Sequence, residues 1–118
     1  MTMTNVKIYH NSRCSKSRQT LALLEEHNCN IEIVEYLKTP VSAVELEEIL
    51  TKLNVAPREM MRVKEAEYKE QGLNNDTLST ADLIQAMIAT PKLIERPIVL
   101  ANNKAVIGRP PENVLTII

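Results

Sequence analysis

The chain has 118 residues, 44% of them apolar and 25% charged, with a net charge of -1. That is enough chain for a packed core and excludes a disordered or low-complexity segment. So even a charge balance gives no general pull toward nucleic acid or an anionic membrane, and no apolar run is long enough to span a bilayer.

Tyr9, Tyr36 and Tyr68 are the only aromatic residues, so Leu, Ile, Val, Met and Ala must build the core. Val6 to His10 alternates and is rich in strand formers, which predicts a first strand. From about Lys16 to His27 the pattern turns helical, with Leu21 and Leu24 on one face and Ala22 and Leu23 widening it. Ile31 to Tyr36 predicts a second strand. Strand, helix and strand at this spacing predict a βαβ unit with parallel strands.

The chain then changes character. Ser42 and Glu45 form a capping-box pattern, followed by Leu46, Ile49, Leu50 and Leu53 at helical spacing. Pro57 suits the start of a short helix through Met60 and Met61. Glu65 to Gln71 and Thr80 to Ala89 predict two more helices, with Gly72 closing the first and Pro91 ending the second. Residues 40–90 therefore predict an all-helical stretch. Ile98-Val99-Leu100 and Ala105-Val106-Ile107 flank Asn102-Asn103, which predicts an antiparallel hairpin. Pro111 opens a closing helix whose face is Val114, Leu115 and Ile118. The order β-α-β, helices, β-β-α is that of a thioredoxin-like α/β fold. Its mixed sheet is flanked by helices and carries a helical insertion, and residues 1–118 are expected to form one domain.

One stretch stands out: HNSRCSKSR, residues 10–18, holds a single cysteine, His10, Arg13, Lys16 and Arg18, and no acidic residue. Cys14 falls between the first strand and the first helix. A helix N-terminus offers free backbone N–H groups and the positive end of the dipole, and both favour a thiolate. The same donors would hold an oxyanion beside it. The bland alternative is a solvated charged face, and for His10 a core histidine with a satisfied ring. Cys29 has no cations nearby and reads as a packing thiol. Cys14-Ser15-Lys16-Ser17 is C-x-x-S, so no resolving thiol lies within one turn and a disulfide partner must come from elsewhere. The sixth residue after Cys14 is Thr20, not the arginine of a C-x5-R phosphatase loop. No Cys/His spacing suggests a metal site. With Cys14 and Cys29 forming no disulfide framework and no signal-peptide pattern in MTMTNVKIYH, a reducing cytoplasm is the expected location.

Three segments, IYHNSRCSKSRQTL at the start, EYLKTP at 35–40 and ERPIVLANNKAVIGRPPE at 95–112, together resemble the glutaredoxin-coupled arsenate reductases of the ArsC family, closest to its YfgD-type arsenate reductase-like branch. The resemblance implies an active-site cysteine, here Cys14, and three oxyanion-binding arginines, here Arg62, Arg96 and Arg109. His10 matches a histidine that supports the thiolate, and Asn11 and Ser17 match loop positions near it. Ser12 departs from the proline common there, and Val63-Lys64 departs from classical members. Without the resemblance, Arg62 reads as a surface residue and Arg109-Pro110-Pro111 as a helix entry. Thioredoxin-like folds place a cis-proline opposite the cysteine, so Arg96-Pro97 is expected to be cis.

The expected activity is reduction of arsenate to arsenite through the Cys14 thiolate. The resemblance implies glutathione as the co-substrate and glutaredoxin as the reducing partner, with no bound cofactor. Two alternatives stand beside it. One is a thiol-dependent redox enzyme of the same fold acting on another oxyanion or a glutathione mixed disulfide. The other is a non-catalytic Spx-like module that binds RNA polymerase. A monomer is expected, because no large apolar stripe is left over.

Overall fold

The computed structural model describes residues 3–118. They group into two compact units. One combines the described residues up to Thr39 with Arg96–Ile118; the other is Pro40–Glu95.

The first unit is built on a four-stranded sheet of β1 (Asn5–Tyr9), β2 (Asn30–Val34), β3 (Ile98–Ala101) and β4 (Lys104–Ile107), in the order β2-β1-β3-β4. β1 runs parallel to β2, with Ile8 opposite Ile33, and antiparallel to β3, with Ile8 opposite Val99. β3 and β4 pair antiparallel. Parallel neighbours need a crossover, and helix α1 (Ser15–Glu26) supplies it. This is the expected thioredoxin-like mixed sheet. Its apolar core joins Val6 and Ile8 of β1, Leu24 of α1, Val99 and Ala101 of β3, and Val114 and Ile117 of the closing segment. Cys29 is buried in that core, where burial pushes its thiol up, as a packing cysteine should behave.

The hairpin turn is Asn102-Asn103, with φ of 51° and 62°. Two left-handed residues in a two-residue loop match the twist of the flanking strands, and Asn tolerates that conformation best after Gly. Two expectations need correction. β2 ends at Val34 rather than reaching Tyr36, because the Glu35 carbonyl accepts N–H groups of both Lys38 and Thr39 and closes a turn. The closing segment, Pro111–Thr116, is a 3₁₀ helix. With three residues per turn, Pro111, Val114 and Ile117 face inward, while Leu115 lies on the surface.

The inner face of α1 also differs from its apolar pattern. Ser17, Thr20 and Leu24 are its fully buried residues, while Leu21 and Leu23 are only partly covered and Ala22 is exposed. Two hydroxyl residues thus occupy positions that a purely structural helix would fill with Leu or Ala.

The second unit contains no strand of its own, apart from an isolated bridge between Met61 and Ile94. Its helices are α2 (Ala43–Leu53), α3 (Ala66–Glu70) and α4 (Thr80–Ala89), with 3₁₀ turns at Pro57–Met60 and Pro91–Leu93. The Ser42/Glu45 capping box forms as expected, with both reciprocal hydrogen bonds. A second box, Ser79 with Asp82, starts α4. Gly72 follows α3 with φ of 67°, the left-handed conformation of a helix stop. Arg58 donates to the Tyr68 hydroxyl and to the Leu73 and Asn75 carbonyls, tying the first 3₁₀ turn to the segment after α3. No helix of the described residues is long and apolar enough to cross a membrane.

Candidate active site at the start of helix α1

β1 delivers the chain into a loop that ends at Cys14, the N-cap of α1. The loop is closed by its own hydrogen bonds. The His10 N–H donates to the Val34 carbonyl, the Cys14 N–H to the Asn11 carbonyl, and the Arg13 N–H to Asn11 Oδ1. The buried hydroxyl of Ser17 reaches back from the first turn of α1. Its Oγ accepts the Asn11 N–H at 3.1 Å and lies 2.6 Å from His10 Nδ1.

His10 is buried. Burial lowers its pKa, opposed by the Glu35 carboxylate and assisted by Arg18. The ring is therefore neutral at neutral pH. In the neutral ring Nδ1 can accept the Ser17 proton. His10 anchors the loop through this contact with Ser17.

The Cys14 thiol is itself largely buried. Burial, the largest single influence, disfavours its charge. The Ser17 N–H, the Arg96 guanidinium and the Lys16 N–H outweigh it, and the net effect holds the thiol below its ordinary value. The N–H groups lie close enough to favour the thiolate without closing a side-chain cap. The cations that meet the sulfur come from the far end of the sequence. Arg109 Nη2 donates to Sγ at 3.7 Å, and Arg96 shares a hydrogen bond with the same thiol. Of the local cations, Arg18 donates instead to the Ser12 carbonyl, and Lys16 contributes its backbone N–H.

Arg96 and Arg109 are held as a pair. Arg109 Nε donates to the Arg96 carbonyl at 2.8 Å, and the Gly108 N–H donates to the Pro97 carbonyl at 2.8 Å. The Arg96-Pro97 bond is cis, as expected, and so is Arg109-Pro110. The Tyr36 hydroxyl faces Arg96 and supports its charge. Nε of Arg96 is buried and makes no hydrogen bond within the described protein. A buried charged donor without a partner is costly, so the arrangement suits an anion next to the thiol.

Gly108 makes this approach feasible. A Cβ there would lie 2.7 Å from Thr20 Oγ1 and 2.8 Å from Pro97 Cγ. Thr20, buried on α1, donates to the Lys16 carbonyl at 2.8 Å and lies 3.4 Å from the Gly108 carbonyl. The sequence pattern did not mark Thr20, Gly108 or Tyr36 as site residues. The two hydroxyl residues interrupting the apolar face of α1 were the available signal.

Arg62 belongs to the second unit. There its Nε pairs with Glu65 at 3.1 Å and its Nη1 with Glu95 at 3.9 Å, and its N–H donates to the Leu93 carbonyl. The structure thus gathers Cys14, His10, Asn11, Ser17, Arg96 and Arg109 in one unit and holds Arg62 among carboxylates in the other. No group of three or more His, Cys, Asp or Glu side chains suited to a metal forms among the described residues.

The sequence profile of the ArsC family matches residues 9–117. A protein of Escherichia coli K12, named uncharacterized protein YfgD, is 57% identical over 114 residues, 96% of each chain. A Neisseria meningitidis protein named arsenate reductase is 53% identical, covering 95% of this chain and 97% of that one. The solved structure of an arsenate reductase from Vibrio cholerae superposes with a TM-score of 0.97 at 48% identity, over 99% of this chain and all of that one.

Proposed function

The chain belongs to the ArsC family, and from that premise we propose that it reduces arsenate to arsenite through Cys14. The observation that carries the reading is the pairing of Cys14, held toward its thiolate form, with two arginines, one of which keeps a buried donor without a protein partner. A nucleophile and an oxyanion repel each other, so a site for both must supply fixed positive charge at the reacting atoms.

In the proposed first step the Cys14 thiolate attacks arsenic. An S–As bond forms and an arsenate oxygen leaves as water after protonation. Arg96 and Arg109 bind the oxyanion, with Arg62 as the third arginine the family implies. The thiolate of glutathione then attacks the Cys14 sulfur. The electron pair of the broken S–As bond leaves with arsenic, which departs as arsenite, and Cys14 is left in a mixed disulfide with glutathione. Glutaredoxin reduces that disulfide and restores the thiol. An external thiol donor fits the C-x-x-S sequence and the burial of Cys29 in the core.

The test is arsenate-dependent NADPH oxidation in the presence of glutathione, glutaredoxin and glutathione reductase, for wild type and Cys14→Ser. Turnover that falls to background in the variant supports the reading. A folded wild-type protein that gives no turnover overturns arsenate as the substrate.

A further inference from the structure

Beside the Cys14 loop, and sharing His10 and Asn11 with it, the first unit has a second feature. It is a cleft of about 360 Å³ lined by His10, Asn11, Ser12 and Arg13 on one side and Glu35, Leu37 and Lys38 on the other. That volume is within the roughly 300–1,000 Å³ of small-molecule sites. The cleft opens where β1 and β2 end. Ligands of open α/β sheets bind outside the carboxyl ends of parallel strands, and β1 and β2 are the parallel pair of this sheet. The last residue of the first wall, Arg13, is joined directly to Cys14.

The lining has a definite charge pattern. Arg13 and Lys38 supply two cations and Glu35 one carboxylate, and Leu37 adds an exposed apolar side chain. Glu35 and Lys38 pair across 3.6 Å while both remain open to solvent, so each keeps capacity for a further partner. An occupant complementary to this wall carries two carboxylates, one ammonium and a short aliphatic stretch.

We propose that this cleft is the docking site of the thiol donor, a small zwitterionic peptide with two carboxylates and one ammonium, of which glutathione is the representative. In this arrangement Arg13 and Lys38 take the carboxylates and Glu35 the ammonium. Leu37 is covered by the peptide's methylenes, and the thiol is held at the Cys14 end. The inference rests on the proposed use of an external thiol, but it assigns a place for that thiol which the oxyanion chemistry does not require.

The decisive probe is S-methylglutathione, which keeps every charge and cannot react. Titrated into the full chain and followed by amide chemical shifts, it is expected to move Asn11, Ser12, Arg13, Leu37 and Lys38. Lys38→Ser and Arg13→Ser should each weaken it by roughly two- to fivefold, the range for solvent-exposed charge pairs, with unchanged shifts elsewhere certifying the fold. The diethyl ester of the probe should bind more weakly still. In the coupled assay the same variants should raise KM for glutathione. Shifts that map elsewhere, or affinities indifferent to Arg13, Lys38 and esterification, overturn the proposal. Cleft shifts without arsenate turnover would leave the docking site standing and remove the arsenate reading. Glutathione-saturable turnover without cleft shifts would do the reverse.

Discussion

The groups that lower the Cys14 pKa are distributed over the first unit. The local backbone N–H groups of Ser17 and Lys16 act together with Arg96, and burial works against them. The thiolate is the species that alkylates, so the rate follows its fraction. A lowered pKa keeps that rate high at pH values where an ordinary thiol is protonated. The alkylation profile of wild type should therefore have its midpoint below that of an unperturbed thiol, and Arg96→Gln should move it toward alkaline pH. The same variant should lower arsenate turnover by about 100-fold, the typical effect of removing one preorganised oxyanion donor. A profile that does not move would show that Arg96 leaves the sulfur untouched. Ser17 has a different task. Its hydroxyl satisfies the Asn11 N–H and His10 Nδ1 at once, so Ser17→Ala leaves the buried His10 Nδ1 and the part-buried Asn11 N–H without that partner. Denaturant unfolding should show a loss of about 1–3 kcal/mol.

The loop after β4 crosses α1 at close range. Gly108 has no room for a Cβ, with Thr20 Oγ1 and Pro97 Cγ both inside contact distance. Gly108→Ala should cost about 1–3 kcal/mol, the range for overpacking, and should lower turnover as well, because Arg109 is the next residue. Adding Thr20→Ala removes one of the two obstructions. A double-mutant cycle on stability should then show a coupling of about 0.5 kcal/mol or more, and additive effects would contradict the steric account. In the second unit, α2 depends on a reciprocal cap. Ser42→Ala should destabilise by about 0.5–2 kcal/mol, measured by thermal or denaturant unfolding.

At the scale of the molecule, the large apolar side chains left exposed among the described residues are Met3, Ile33, Leu37, Val44, Val63 and Leu115, which come from separate segments of the chain. The two sheet edges, β2 and β4, carry the exposed charges Glu32 and Lys104, which discourage edge-to-edge pairing. We propose a monomer, so light scattering should give the 13.3 kDa of one chain; twice that mass would overturn it. The sheet, its hairpin, α1 and the capping boxed start of α2 were legible in the sequence because their causes are local: period-two alternation, a paired Asn turn, apolar spacing of 3.6, and Ser followed by Glu. The closing segment was not, since 3₁₀ and α spacing share Val114 and diverge only at Leu115 and Ile117. Cys14 could be singled out from its place before a helix. The cations that meet it could not be chosen by proximity in sequence. Arg13 and Arg18 are its neighbours in the chain, yet Arg96 and Arg109, more than eighty residues away, are the ones that touch the sulfur. Sequence by itself determined most of the elements and the place of Cys14 between a strand and a helix, which depend on short-range backbone preferences. Only the tertiary structure decided which charges surround that thiol, because electrostatic and hydrogen-bonding partners are set by distance in space, and antiparallel pairing of β3 with β1 carries Arg96 to the end of the strand that leads to Cys14.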